Sequence, residues 1–250
     1  MGADESHRHP AGGYGGAIGS NREAGEQVTT VEINGMNAEV LFHPFRHVVI
    51  DGAWDDSLLR AVRAEFPDEA DPQWIRYADD DHEEKLEGPA SMFGEATTCF
   101  IEALEASGPD IRRAFDMPPL VLSTEGGGYH QTNPGGGLAV HADFNRSEDG
   151  LYRRVNVITY LNADDEPPNG GELELWDNEG PVTSVTPRFN RTLVFETHDT
   201  SFHGHPRALD GPHPRRSFAA YFFSEEAPPH YSGAHTTVWH PRGHRHRPGS

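Results

Sequence analysis

Seven short runs of β-favouring residues follow one another between Pro118 and Phe223. Gly, Pro, Asn and Asp separate them, and the runs read LVLST, GLAVHADF, RVNVITYLN, GELELW, VTSVTP, RTLVFET and RSFAAYFF. Several short strands in succession, with turn residues between them, are typical of a β-sandwich or a barrel. The pattern therefore predicts a mostly β core over residues 118–224.

The chain in front of this core predicts a mixed α/β support region over residues 28–117. Asn34-Gly35 is a typical two-residue hairpin turn. One helix is expected from about Asp55 to Phe66 and another from near Ser91, because apolar residues recur at helical spacing in both. These apolar positions are Leu58, Leu59, Val62 and Phe66 in the first helix, and Phe93, Phe100, Ile101 and Leu104 in the second.

Three stretches are predicted to lie outside the core. Residues 1–27 are Gly-rich and without apolar period, which predicts disorder. Residues 225–250 end in a His- and Arg-rich tail that offers few core residues, so this tail is expected to be flexible. Asp68 to Gly88 is acid-rich and is predicted to be a loop, and its composition suggests that residues 68–90 form a lid.

The composition excludes several classes of function. Twenty Lys and Arg stand against 40 Asp and Glu, and a chain with a net charge of −20 repels nucleic-acid phosphates. No apolar run approaches the roughly 20 residues of a membrane span, and no signal peptide is apparent. Cys99 is the single cysteine, which excludes a disulfide framework and favours a reducing compartment. We therefore expect a cytoplasmic protein with no nucleic-acid or membrane partner.

A possible metal site begins with His141 and Asp143 in LAVHADFN. Two residues apart on a strand, their side chains point to the same side, although a chain with 16 His and 40 acidic residues contains such pairs by chance. A histidine of SFHGHP, His203 or His205, would complete two imidazoles and one carboxylate. This set suits an Fe(II) oxygenase with open coordination positions and also a hydrolytic zinc site. Strand periodicity does not choose between the two histidines.

The segment PRRSFAAYFF carries two adjacent arginines. On a strand, Arg215 and Ser217 share one face, whereas Arg216 and Phe218 share the other. A guanidinium inside a β core needs an anionic partner, and its planar fork matches a carboxylate. One arginine is therefore a candidate clamp for a small dicarboxylic acid; the alternative is that both are exposed and paired with surface acids.

Several segments together resemble a known enzyme family. The series GGLAVHADFN, RRVNVITYLN, GGELELWD, PRFNRTLVFET, SFHGHP and RRSFAAYFF resembles the iron(II)/2-oxoglutarate-dependent oxygenases of the prolyl-4-hydroxylase-like bacterial branch. The likeness spans about residues 125–224, and HVVIDGAWDDSLLRAVRAEFP resembles the helical prelude of that group. The fold it implies is a double-stranded β-helix, or jelly roll.

The resemblance also implies the site residues. The metal ligands would be His141, Asp143 and His203, leaving His205 as a neighbour. The far carboxylate of 2-oxoglutarate would be held by Arg215 with Ser217 and Tyr160, with Arg216 the alternative if the register slips. Leu173 and Leu175 match positions that line the cosubstrate slot, with Glu172 and Glu174 facing out.

The implied reaction uses Fe(II), 2-oxoglutarate and O₂ to hydroxylate a C–H bond, with release of succinate and CO₂. Because Asp143 is present, the resemblance does not extend to the halogenases that replace this carboxylate. The substrate would be a small molecule or a residue of a larger one, and Arg153, Arg154 and Asn156 are candidates to read it. Two other classes stay open: a zinc-dependent hydrolase on the same triad, and a non-catalytic jelly-roll binding module.

Overall fold

The computed structural model describes residues 27–79, 81–229 and 231–246. Residues 1–26, where the sequence predicts disorder, lie outside the described residues. The helices are α1 (Asp56–Ala64), α2 (Glu95–Ala106) and α3 (Gly108–Ala114), with a short 3-10 turn at Ala90–Met92. The strands are β1 (Val28–Ile33), β2 (Met36–Leu41), β3 (His47–Asp51), β4 (Ile75–Asp79), β5 (Glu83–Gly88), β6 (Val121–Thr132), β7 (Gly137–Ala142), β8 (Tyr152–Tyr160), β9 (Leu173–Trp176), β10 (Pro181–Val185), β11 (Arg191–Glu196), β12 (Phe202–His205), β13 (Arg215–Ser224) and β14 (Val238–Trp239).

The strands form one continuous antiparallel sheet folded into two halves. Its order is β1-β2-β3-β11-β8-β13-β6-β5-β7-β12-β9-β10, with β4 added to β5 and β14 added to β7. The first half runs to β6, the second begins at β7, and β5 joins them by pairing with both. All seven β-type runs of the sequence lie on strands, and the predicted mostly β jelly-roll architecture is confirmed.

The N-terminal elements form where local sequence signals place them. Asn34 and Gly35 connect β1 to β2 with φ of 54° and 73°, the left-handed geometry of a hairpin turn. Helix α1 follows Asp55, whose side chain accepts a hydrogen bond from the backbone N–H of Leu58 at 2.9 Å. This cap satisfies one of the free donors at the helix start.

The helices cover the outer face of the first sheet half. Leu59 and Val62 of α1 and Phe100 of α2 are buried in one apolar cluster with Phe218 and Phe222 of β13. The rings of Phe100 and Phe218 meet edge to face with their centroids 5.5 Å apart. Because strand residues alternate between faces, burying Phe218 and Phe222 on the outside directs Ser217 and its alternate neighbours into the interior.

The prediction of a loop from Asp68 to Gly88 is wrong over most of its length. Strands β4 and β5 form a hairpin there, and β5 closes the seam between the two sheet halves. Alternate charged side chains, Glu83, Lys85 and Glu87, line an internal cavity. The charge run thus belongs to a wall of the jelly roll and is not a solvated loop, which composition alone does not distinguish.

The tail beyond residue 225 also differs from the flexible segment expected from the sequence. Strand β14 pairs with β7, opposite Ala142 and His141. Further along, Gly243 packs so closely on Val140 that an added Cβ would lie 2.3 Å from the Val140 Cβ, and Arg245 forms an ion pair with Glu84 at 3.1 Å. Backbone pairing and close glycine packing hold this segment without a large apolar content.

Candidate active site

An internal cavity of about 190 Å³ lies between the two sheet halves. Side chains from both halves line it, including Ile158 and Ala219 from the first half and Leu138 and Leu173 from the second. The candidate metal ligands and the candidate arginine both reach this one cavity. Leu175 lies in the apolar cluster behind it, and Glu174 is only partly exposed, with its carboxylate accepting a hydrogen bond from the Trp176 indole.

His141, Asp143 and His203 meet at one point of the cavity wall. His141 and His203 face each other across the β7–β12 pair. The Nε2 atom of each lies 3.4 Å from an oxygen of Asp143, Oδ1 for His141 and Oδ2 for His203. One potential ligand atom from each residue lies within 4.8 Å of the others, which is the arrangement of a shared cation site.

The orientation of the two imidazoles fits a metal. The Nδ1 atom of His141 is 2.9 Å from the Ala139 carbonyl, and that of His203 is 3.0 Å from the Ser201 carbonyl. A carbonyl only accepts, so each ring carries a proton on Nδ1, and its Nε2 atom, when deprotonated, directs a lone pair toward the Asp143 carboxylate. Three acceptor atoms facing one another favour a bound cation, and carbonyl-oriented imidazoles are usual around metals.

The charge states of the cluster are also those of metal ligands. Burial lowers the pKa of His203 to about 4, so the ring is neutral at neutral pH. Burial alone would raise the pKa of Asp143, but the Arg153 guanidinium, His203 and His141 together hold it well below its usual range. A neutral His203 imidazole and a charged Asp143 carboxylate therefore face the cavity beside His141. They fit Fe(II) or another borderline divalent cation.

Arg153 and Asn156 hold the Asp143 carboxylate in place. The Arg153 Nη2 atom lies 3.3 Å from Asp143 Oδ2, and the Asn156 amide donates to the same oxygen at 2.8 Å. Arg153 also donates from Nε to the Asn156 Oδ1 at 2.9 Å, and its guanidinium stacks on the ring of Tyr221 at 3.4 Å. Arg153 and Asn156 are buried around the carboxylate, whereas the sequence suggested that they read the substrate.

A bulge explains why strand alternation does not reveal this pair. In the β8–β13 ladder Phe222 pairs with Val155, whereas Phe223 pairs with Arg153, so Arg154 is the extra residue. Arg154 itself points elsewhere, donating to Ser224 Oγ and the Glu226 carbonyl. The bulge lets Arg153 and Asn156, three residues apart, reach the same carboxylate.

Arg215 lies inside the cavity with neutral partners. It is 4% exposed and donates to the Gly171 carbonyl at 3.0 Å, to Ser217 Oγ at 3.2 Å and to Tyr160 Oη at 3.4 Å. No described carboxylate forms an ion pair with it. Arg216 points to the opposite face, where it donates to Gln131 Oε1 at 3.0 Å. The two arginines thus occupy the faces that strand alternation assigns to them.

His205 is separated from the metal cluster. A bulge in the β12–β7 pair follows His203, so that His205 pairs with Leu138 rather than with Ala139. His205 is buried and lines the cavity, but the cluster of potential ligands contains only His203 of this pair.

The C-terminal segment contributes a wall that the sequence did not reveal. Trp239 of β14 lies against His141, with ring centroids 5.3 Å apart, and its other neighbour is His82, stacked at 4.5 Å. Trp239 also lines the cavity. Its sequence context, a polar tail, carries no signal for this position.

Comparisons with known proteins agree with this geometry. Residues 127–223 match the sequence model of the 2OG-Fe(II) oxygenase superfamily, the stretch that carries every residue discussed for the cluster and for Arg215. No curated protein is similar enough to the chain to count as a match.

Two solved structures share the fold. A prolyl-4-hydroxylase from Pseudomonas putida is 17% identical with a TM-score of 0.53, and the match covers 72% of this chain and 92% of that one. A prolyl hydroxylase from Trichoplax adhaerens, in complex with a hypoxia inducible factor peptide fragment, is 18% identical with a TM-score of 0.58, covering 72% and 84%. The match over residues 127–223, together with the cluster of His141, Asp143 and His203, supports a 2-oxoglutarate-dependent dioxygenase.

Proposed function

We propose that this protein hydroxylates a C–H bond of a small molecule, or of a residue in a larger one, with release of succinate and CO₂. The proposal depends on one observation: a cluster of metal-ligating side chains and a buried guanidinium lie in one cavity. Three metal-ligating side chains converge at one point, and a buried guanidinium without a described counter-ion points into the same cavity. A ligand that reaches both needs a metal-chelating end and a carboxylate end, and 2-oxoglutarate has both.

In this proposal His141, Asp143 and His203 hold Fe(II). Bound together with 2-oxoglutarate and O₂, the metal supplies the oxidising power for the C–H bond. Arg153 and Asn156 act through Asp143: their hydrogen bonds keep the carboxylate charged and fix its direction. Such support of a ligand is worth about 10- to 100-fold in metal affinity.

Arg215, Ser217 and Tyr160 would orient the cosubstrate. The Arg215 guanidinium offers a charged donor in the cavity, and the two hydroxyl groups beside it offer further hydrogen bonds. A buried, charge-assisted pair is strong because no water competes for it. The remaining wall, including Trp239 and the β5 side chains, limits the access of water to the reacting groups.

A zinc-dependent hydrolase would use the same three ligands but would leave Arg215 without a role. A buried cation without an anionic partner is costly, so the oxygenase explains more of the site. A non-catalytic binding module would share the pocket and differ only in turnover. A cytoplasmic location is part of the proposal, since the chain has one cysteine and the reaction needs ferrous iron.

The test is an anaerobic titration of the metal-free protein with Fe(II) and then with 2-oxoglutarate. The proposal expects a weak visible charge-transfer band when both are present, and succinate once air is admitted. The Asp143→Ala variant should show neither, whereas the Arg216→Met variant should show both. A wild-type protein without the band would exclude the proposed cosubstrate, and a band without succinate would point to the binding module.

A further inference from the structure

We propose that His130 and His205 are additional cosubstrate-binding residues, which donate hydrogen bonds to the far carboxylate of 2-oxoglutarate beside Arg215. The inference rests on the proposed function, since it concerns the same cavity. The metal cluster contains neither histidine, and the mechanism above uses neither.

The two histidines reach the cavity from opposite halves of the sheet. His130 lies on β6 and pairs with Ser217 across the β6–β13 ladder, in the same row as Tyr160 on β8. His205 comes from β12 in the second half. Both line the cavity with Arg215. A carboxylate held by the guanidinium would therefore share its cavity with an imidazole from each sheet half.

One nitrogen atom of each ring is enclosed and has no described hydrogen-bond partner. These atoms are Nε2 of His130 and Nδ1 of His205. The Glu87 carboxylate lies 4.0 Å from the Nε2 atom of His130, which is too far for a hydrogen bond. Leaving a buried polar atom unpaired is unfavourable. Two such atoms on residues that line one cavity indicate a polar ligand there.

The surroundings of His130 keep its ring neutral. Burial, followed by the positive charges of Lys85 and Arg215, lowers the pKa of His130 well below its ordinary value. A neutral imidazole keeps one N–H donor, so His130 adds a donor without adding a third positive charge. His205 also offers a donor, because an imidazole carries at least one N–H in either charge state.

A carboxylate can accept this number of donors. It has about four lone-pair sites. The Arg215 guanidinium already donates to the hydroxyls of Ser217 and Tyr160, so two hydrogen bonds from this trio to the carboxylate would leave two sites. The histidines would fill the rest.

The experiment compares two ligands in calorimetric titrations of the full chain loaded with Mn(II). Mn(II) is chosen because it binds histidine-rich tails weakly and does not turn the cosubstrate over. The ligands are 2-oxoglutarate and 2-oxopentanoate, which has the same metal-binding end but no far carboxylate. The variants are His130→Leu, His205→Leu and His205→Gln, which keeps an N–H donor, with the buried histidine variant His47→Leu on β3 as the matched control.

For each Leu variant we expect a Kd for 2-oxoglutarate raised about tenfold to a hundredfold, the range for a lost hydrogen bond to a charged group. The Kd for 2-oxopentanoate should stay unchanged, His205→Gln should recover part of the loss, and His47→Leu should match the wild type. Equal losses for both ligands, or no loss, would show a structural role and overturn the inference while leaving the proposed function intact. If the wild type does not bind 2-oxoglutarate more tightly than 2-oxopentanoate, both this inference and the proposed function are contradicted.

A second measurement uses the wild-type protein, so its result does not depend on whether a variant folds. In the Mn(II)-free, Zn(II)-loaded protein labelled with ¹⁵N-histidine, addition of 2-oxoglutarate should shift the ring ¹⁵N signals of two histidines beyond the metal ligands. Addition of 2-oxopentanoate should not shift them. Equal shifts with both ligands, or no shift with either, would contradict the contact with the far carboxylate.

Discussion

Replacing Arg215 by Met should separate the stability of this protein from its affinity for the cosubstrate. The side chain is 4% exposed, its three hydrogen-bond partners are neutral, and no described carboxylate forms an ion pair with it. In the ligand-free protein its positive charge is therefore removed from water without an anionic partner, which is unfavourable. Met fills a similar space without a charge, so the substitution removes a cost as well as three hydrogen bonds.

The magnitude follows from a comparison with Arg153, which is equally buried but paired. Arg153→Met would leave the Asp143 carboxylate buried without its cation, and breaking a buried pair in this way costs about 3–5 kcal/mol. For Arg215→Met three hydrogen bonds from a charged donor to neutral acceptors are lost, at roughly 1.5 kcal/mol each, against the relief of a buried unpaired charge that costs several kcal/mol. We expect its free energy of unfolding to stay within about 1 kcal/mol of the wild type.

The affinity of Arg215→Met for 2-oxoglutarate should change strongly, in contrast to its free energy of unfolding. Loss of a buried charge pair costs about 2–5 kcal/mol, which is roughly 30-fold to several thousand-fold in the Kd for 2-oxoglutarate. At a ligand concentration 100 times its Kd the wild type should gain about 2.7 kcal/mol of stability, whereas the Arg215→Met variant should gain less than about 0.9 kcal/mol at that concentration.

The assay is urea unfolding of the metal-free proteins, followed by thermal unfolding of the Mn(II)-loaded proteins with and without 2-oxoglutarate. Arg216→Met is the matched control, since this neighbour lies on the other face of β13, and it should keep the full ligand shift. The reasoning is refuted if Arg215→Met destabilises the metal-free protein as much as Arg153→Met does. It is equally refuted if the variant keeps its affinity for 2-oxoglutarate.

Three further predictions concern the metal end of the cavity. Asp143→Ala and His203→Ala should each abolish succinate formation and bound iron, measured by product analysis and metal content; wild-type succinate in either variant would remove that residue from the ligands. Asn156→Leu should weaken metal binding about 10- to 100-fold in a competition with a chelator, without loss of the fold by circular dichroism. In the metal-free protein the pKa of His203 is lowered from 6.5 to about 4, so the unfolded state binds a proton that the folded state does not, and stability should fall as the pH drops from about 6.5 to 4. Urea unfolding across this range checks the effect, and His203→Leu should reduce the slope; an unchanged slope would assign it to other groups.

Local sequence patterns were sufficient to predict much of the fold and part of the candidate active site. The hairpin at Asn34-Gly35, helix α1 after its Asp55 cap and the seven β-type runs depend on neighbours in sequence, so the chain reveals them without its tertiary contacts. The pairing of Arg215 with Ser217 on one face follows from the two-residue period of a strand in the same way.

Strand periodicity failed where the ladders are irregular. The extra residue at Arg154 brings Arg153 and Asn156 to one carboxylate, and the bulge after His203 separates it from His205. Neither bulge has a signature in the local sequence, because a bulge depends on the register of two strands that are distant along the chain. Resemblance to the oxygenases indicated His203, whereas periodicity left the two histidines equivalent.

The sequence by itself determined that this chain forms short antiparallel strands and carries two imidazoles, a carboxylate and an arginine that could serve one site. Only the tertiary structure decided that the charged strand β5 closes the seam, that Trp239 of a polar tail covers His141, and that His130 and His205 line the same cavity as Arg215. The physical reason is that these three outcomes are pairings between distant segments. Each depends on which strand edge is left open when the two sheet halves meet, and no window of the sequence contains that information.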